Sequence, residues 1–155
     1  MAEIQSLNHT AICVHDLQEA VDFYCGILGA HEASATDFVT DDVIKGRSLH
    51  RAVVLEDYLL ALMLARDFMP MPSDAQLRGT HGFRHAFGVP RDRFKTLMAI
   101  LDQYGTHYEG PVEHRATGPF GQSIYVKDPS GNFLEFIWRR DEAVRYDPVE
   151  GIGEG

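Results

Sequence analysis

Two stretches of this chain carry the same signals in the same order, and that repeat limits the fold more than any other feature. The first, LNHTAICVHDLQEAVDFYCGILG, opens at residue 7. It alternates as a strand over residues 7–14 and then places Asp16 where a helix N-cap belongs. Leu17, Val21, Tyr24, Ile27 and Leu28 follow at helical spacing, and Gly29 is set to stop the helix. Strands are expected at about 30–36, 48–55 and 58–65, with Glu56-Asp57 turning between the last two. The second stretch, RHAFGVPRDRFKTLMAILDQYG, repeats the opening: a strand over 84–89, a cap at Asp92, and Phe94, Leu97, Leu101 and Tyr104 on one helical face before Gly105. Strands are expected at about 106–110, 122–127 and 132–138. Asp128-Pro129-Ser130-Gly131 is a strong turn signal, with Pro second and Gly fourth. From Val14 to Gly29 is 15 steps, and from Val89 to Gly105 is 16.

A period of this size means paired modules, since a strand–helix–three-strand unit cannot bury its sheet alone. The expected fold class is α+β: two tandem βαβββ modules forming a cupped mixed sheet with helices on the outside. The alternative is one α+β domain whose halves match by chance. Residues 1–155 are read as a single domain, with module one at about 5–66, a proline-bearing linker at 67–81, module two at about 82–139, and a charged, Gly-rich tail at 140–155.

Charge narrows the partners. With 14 Lys and Arg against 23 Asp and Glu, the formal net charge is -9. Nucleic acid and anionic lipid both need clustered cations, so neither is expected. No apolar run approaches the roughly 18 residues of a membrane span, and no leader pattern is visible at residues 1–12. Cys13 and Cys25 read as reduced thiols, and the cytoplasm is the expected location.

The motifs carry a resemblance. LNHTAICVHDLQEAVDFYCGILGA resembles the opening of vicinal-oxygen-chelate proteins, with a His on the first strand, an Asp-Leu helix start and Phe-Tyr before Leu-Gly. IYVKDPSGNFLEFIW resembles their closing motif, an aromatic strand, Asp-Pro-x-Gly-Asn and then an acid. AFGVPRDRFKTLMAILDQYG resembles the second-module opening of fosfomycin-resistance proteins. This superfamily includes glyoxalase I, extradiol dioxygenases, methylmalonyl-CoA epimerase, and fosfomycin- and bleomycin-resistance proteins. The resemblance implies a divalent metal in the cup, with ligands from the first and fourth strands of each unit, a small-molecule substrate, and a homodimer. Fe(II) suits two His and one carboxylate with open positions; Mn(II), Ni(II) and Zn(II) are the other candidates.

Carried over residue by residue, the resemblance makes His9 the first-strand ligand. Alternation sets His9, Ala11 and Cys13 on one face. Glu135 matches the last-strand ligand, inside a run too apolar to hold an unpaired acid cheaply. The second-module ligand is ambiguous. Arg84 stands five residues before Val89, as His9 stands before Val14, whereas His85 is one step off. Either a β-bulge turns His85 into the pocket, or Arg84 takes the position and binds an anionic substrate group. The first-module fourth strand, DYLLALMLARD, offers no carboxylate or Gln, which disfavours glyoxalase I and the epimerase. His50 is an outside candidate. Tyr125, ten residues before Glu135, could donate a hydrogen bond to a bound substrate oxygen, or could simply pack in the sheet. The segment 113–121 reads as a polar lid, with His114 and Arg115 more solvated than catalytic.

The metal set is thus His9, His85 and Glu135, with Tyr125 catalytic and Arg84 binding substrate. The leading reading is extradiol-dioxygenase-like oxidative cleavage on a divalent metal. Its rivals are a metal-free ligand-binding or bleomycin-type resistance protein, and a glyoxalase-like lyase or isomerase.

Overall fold

The structure, a computed structural model, describes residues 9–33, 50–56, 58–65, 84–114 and 121–139. The expected linker, the tail and residues 115–120 of the expected lid lie outside the described residues. The chain divides into two compact units, residues 1–84 with 127–133, and residues 85–126 with 134–155.

The first unit runs β1 (His9–Val14), α1 (Leu17–Val21), a π-helical segment (Asp22–Ile27), β2 (His31–Glu32), β3 (His50–Leu55) and β4 (Tyr58–Leu64). Its sheet has the order β1-β4-β3-β2, with β1 and β4 parallel and the other pairs antiparallel. This is the strand–helix–three-strand sequence read from the repeat.

The pairing register sorts the side chains, because cross-strand partners share a face. His9, Ala11 and Cys13 lie with Leu59, Ala61 and Met63 and with Val54, Ala52 and His50. The opposite face carries Ile12, Val14, Val53, Leu60 and Leu62, all at most 4% exposed, and the helix supplies the buried Ala20 and Val21. Burying each of these larger aliphatic side chains contributes about 1.5–3 kcal/mol.

Asp16 caps α1 as expected: its backbone is extended and its carboxylate accepts a bond from the Glu19 N–H at 2.9 Å. The helix then widens. Leu28 N–H reaches back five residues to the Phe23 carbonyl at 3.3 Å. The wider turn carries Phe23 and Tyr24 inward together, edge to face at 5.2 Å.

The second unit runs β5 (His85–Gly88), α2 (Arg91–Gln103), β6 (Tyr108–His114), β7 (Gly121–Lys127) and β8 (Phe133–Arg139), in sheet order β5-β8-β7-β6. Leu134, Phe136 and Trp138 line the face toward α2, where Phe94 meets the Trp138 ring at 6.5 Å and the Arg91 guanidinium lies 4.9 Å over it. Leu101 and the strand residues Ile124 and Val126 are buried as well.

Two sequence expectations need correction here. The residue at the α2 cap position is Pro90, with no side-chain bond, and Asp92 lies in the first turn. Proline suits a helix start because it has no N–H to satisfy there. The strand expected to end near residue 110 continues to His114, so Glu113 and His114 belong to β6 rather than to a lid. Both helices stop where expected, at Gly29 and Gly105, each with positive φ.

The turn between β7 and β8 belongs with the first unit. Asp128 is 4% exposed and accepts four hydrogen bonds: from the N–H groups of Ser130 (2.9 Å) and Asn132 (2.8 Å), the Asn132 side-chain amide (2.8 Å) and the Tyr24 hydroxyl (3.0 Å). The Asn132 amide also donates to the Cys13 carbonyl at 2.9 Å, and the Ser130 hydroxyl accepts from His15 N–H at 2.9 Å. The Asp-Pro-Ser-Gly-Asn run is therefore a docking plug for the β1–α1 corner. Burial raises the Asp128 carboxyl above its ordinary range despite these donors. Burial, reinforced by the Asp128 charge and hydrogen bond, raises the Tyr24 phenol.

Candidate functional site

The polar residues that the second sheet buries define the candidate site. Glu135 is 4% exposed, although Leu134 and Phe136 beside it are buried apolar residues. Alternation along β8 turns it to the face opposite α2. There the Ser123 hydroxyl donates to Glu135 Oε1 at 2.7 Å. Ser123 is itself 0% exposed, and its oxygen lies 2.7 Å from His114 Nε2. The His114 ring stands 3.9 Å from the same carboxylate oxygen and is 34% exposed. Three strands thus contribute one chain of polar groups, from a closed carboxylate end to an open imidazole end.

The ladders explain the convergence. His114 on β6 pairs with Gly121, two residues before Ser123 on β7, which puts both side chains on one face. The β6–β7 register shifts between Glu109 and Val112, and the pairing beyond that shift sets His114 against Gly121. Tyr125, two residues past Ser123, shares the face and is half-buried.

The sequence-predicted residues divide. Tyr125 and Glu135 are carried on one face of one sheet. His85 is not with them. In the parallel β5–β8 ladder His85 pairs with Leu134 and Ala86 with Glu135, unbroken to Gly88. His85 therefore shares its face with Phe87, Leu134 and Phe136, and the Phe87 and Phe136 rings stack at 5.6 Å. Among the described residues this ladder is unbroken, and it sets His85 and Glu135 on opposite faces of the sheet. Arg84 directly precedes β5 and is half-buried, in the first of the two units. His9 is exposed at the start of β1, in the first unit, on the face of Ala11 and Cys13. His50 is half-buried on that same face.

A resident divalent ion needs several donors converging from one side. Among the described residues no group of three His, Cys, Asp or Glu side chains stands close enough for this. His85 and Glu135, on opposite faces, do not fit a shared ion as they stand. Around Glu135 the residues supply hydroxyl and imidazole groups instead.

His114 and Ser123 were not singled out as functional from the sequence. Ser123 had a signal, a small polar residue two positions before Tyr125 and so on the same strand face. His114 had none, because its face depends on the irregular β6–β7 pairing.

No helix among the described residues is long and apolar enough to cross a membrane. Against known proteins, the chain is 27% identical over 151 residues to biphenyl-2,3-diol 1,2-dioxygenase 2 of Rhodococcus globerulus, covering 89% of this chain and 67% of that one. Its fold is similar to a glyoxalase/dioxygenase from Nostoc punctiforme, with a TM-score of 0.70 at 21% identity over 90% of this chain and 94% of that one. It is also similar to a variant of the fosfomycin resistance protein FosX from Listeria monocytogenes, solved with Mn(II) and 1S,2S-dihydroxypropylphosphonic acid. That match has a TM-score of 0.64 at 19% identity over 86% of this chain and 91% of that one. Residues 6–136 match the Glyoxalase/Bleomycin resistance protein/Dioxygenase superfamily, and the chain belongs to that superfamily.

Proposed function

We propose that this protein binds a small oxygen-rich molecule on the sheet face that carries Ser123, Tyr125 and Glu135, and acts on it by acid–base chemistry. The observation that carries this reading is the Glu135 carboxylate, almost fully buried in an apolar strand yet held by a protein hydroxyl at 2.7 Å. A carboxylate kept in so dry a setting is a strong acceptor for a ligand hydroxyl. The Tyr125 phenol on the same face can donate to a neighbouring ligand oxygen.

The test is titration of chelator-treated full-length protein with catechol, a minimal vicinal diol. Binding is expected without added metal, weakened about tenfold or more in Glu135→Gln and less in Tyr125→Phe, as for loss of one or two hydrogen bonds. Undiminished binding by Glu135→Gln removes the proposal.

A second reading is extradiol-type oxidative cleavage with a divalent metal held by His9, His85 and Glu135. Its support is the dioxygenase relative, which matches 89% of this chain. The opposite facing of His85 and Glu135 counts against that donor set. Catechol binding that requires added Fe(II) or Mn(II), with oxygen uptake on Fe(II) loading, would favour it over the first reading.

A further inference from the structure

The hydrogen-bond chain at Glu135 fixes more than the position of a carboxylate. A serine hydroxyl has one hydrogen to donate and lone pairs to accept with. Ser123 donates that hydrogen to Glu135 Oε1 at 2.7 Å. The contact between the Ser123 oxygen and His114 Nε2, also 2.7 Å, must then be supplied with its hydrogen by the ring. The His114 nitrogen that faces inward is therefore the protonated one.

We infer that Glu135 and Ser123 together lock His114 as its Nε2–H tautomer, so that Nδ1 is presented as a hydrogen-bond acceptor to a hydroxyl or N–H group of the bound molecule. Two features of the site agree, together with a general one of histidines. The chain is anchored at its closed end, where Ser123 is 0% and Glu135 4% exposed. Its outer member is 34% exposed, open enough for a ligand to reach. Ring orientation set by a bond to the second nitrogen is the usual way a protein chooses which imidazole nitrogen it offers. Ser123 is then a positioning residue acting through His114. The ligand half of the inference rests on the proposed binding face; the tautomer half does not.

The experiment is long-range proton–nitrogen correlation spectroscopy of the nitrogen-15-labelled full chain at about pH 8. The expected spectrum shows His114 protonated at Nε2, with that proton protected from exchange with water. Ser123→Ala should speed its exchange about tenfold or more, in line with the loss of one hydrogen bond. Ser123→Thr, which keeps the hydroxyl, should restore the protection. A His114 ring protonated at Nδ1 in the wild type, or an Nε2 proton indifferent to Ser123→Ala, overturns the tautomer assignment.

Catechol added to the wild type should shift the Nδ1 resonance, and His114→Phe should bind it about tenfold more weakly. Catechol binding that leaves Nδ1 unmoved overturns the ligand half alone. No catechol binding at all overturns the binding face and the ligand half with it, while the tautomer stands or falls on its own resonance.

Discussion

The two sheets set matching positions to different uses. In both, the opening strand runs parallel to the last, with an alanine at the corresponding point: Ala11 against Ala61 in the first unit, Ala86 against Glu135 in the second. The helix-side neighbours also match, Leu60 in one and Leu134 in the other, both 0% exposed. What differs is the open face. In the first sheet the row Ala11–Ala61–Ala52 is all methyl groups. In the second, Glu135 takes the place of Ala61 and brings Ser123 and His114 with it. At these matched positions one copy of the scaffold thus carries a row of methyl groups and the other a polar centre. In the second copy a neighbouring strand supplies the carboxylate with a donor, the Ser123 hydroxyl.

Perturbing matched positions tests that equivalence. The largest effect is expected from Leu60→Ala and Leu134→Ala, each destabilising by about 3 kcal/mol in urea unfolding, because both side chains are fully buried. A difference above about 1.5 kcal/mol between them would show that the two helix-facing layers are not equivalent. Asp128→Ala removes the acceptor for four donors and should cost about 2–3 kcal/mol by the same assay.

Moving the carboxylate comes next. Ala61→Glu places a half-buried acid on the first sheet without the Ser123–His114 arrangement and should cost about 2 kcal/mol. If it costs nothing, the partners of Glu135 are not what makes it tolerable. Gly110→Ala should cost about 1–2 kcal/mol: φ is 113° there, and a Cβ would stand 2.8 Å from the Ser123 carbonyl oxygen. The smallest effect is expected at the Arg51–Glu32 pair, 2.5 Å apart but partly exposed on both sides, where Arg51→Ala should cost about 0.5 kcal/mol or less.

Asp128 also carries a signed pH dependence. Its folded carboxyl is raised by burial, so its protonated form is favoured more in the folded than in the unfolded chain. The stability this contributes is full below the ordinary Asp value of about 3.9 and is lost as pH rises through the raised folded value. The difference in stability between wild type and Asp128→Asn should therefore shift against the wild type as pH rises from about 3 into that window. A difference that moves the other way, or stays flat, would place the carboxyl in a better-solvated setting.

The architecture was legible because periodicity reports burial directly. The first-unit strands and helix cap followed from alternation and from Asp16. The two glycine stops and the Asp128 turn followed from local chemistry, since those conformations suit few residues. Glu135 was legible as an acid that needs a partner, because it stands in an apolar strand, and the Ser123 hydroxyl is one such partner. The sequence left open whether Arg84 or His85 faces the polar side, and it pointed to His114 as a solvated lid residue rather than a strand residue beside Ser123. Both depend on how strands align, and a shift of one residue turns every side chain over.

The sequence by itself determined the repeat, the order of elements and the residues that could bear chemistry, because each rests on a residue's own preference or on near neighbours in the chain. Tertiary structure alone decided that Glu135 meets Ser123 and His114 rather than His85. That choice depends on strand register between distant segments, which is set by the packing of whole sheet faces rather than by any local pattern.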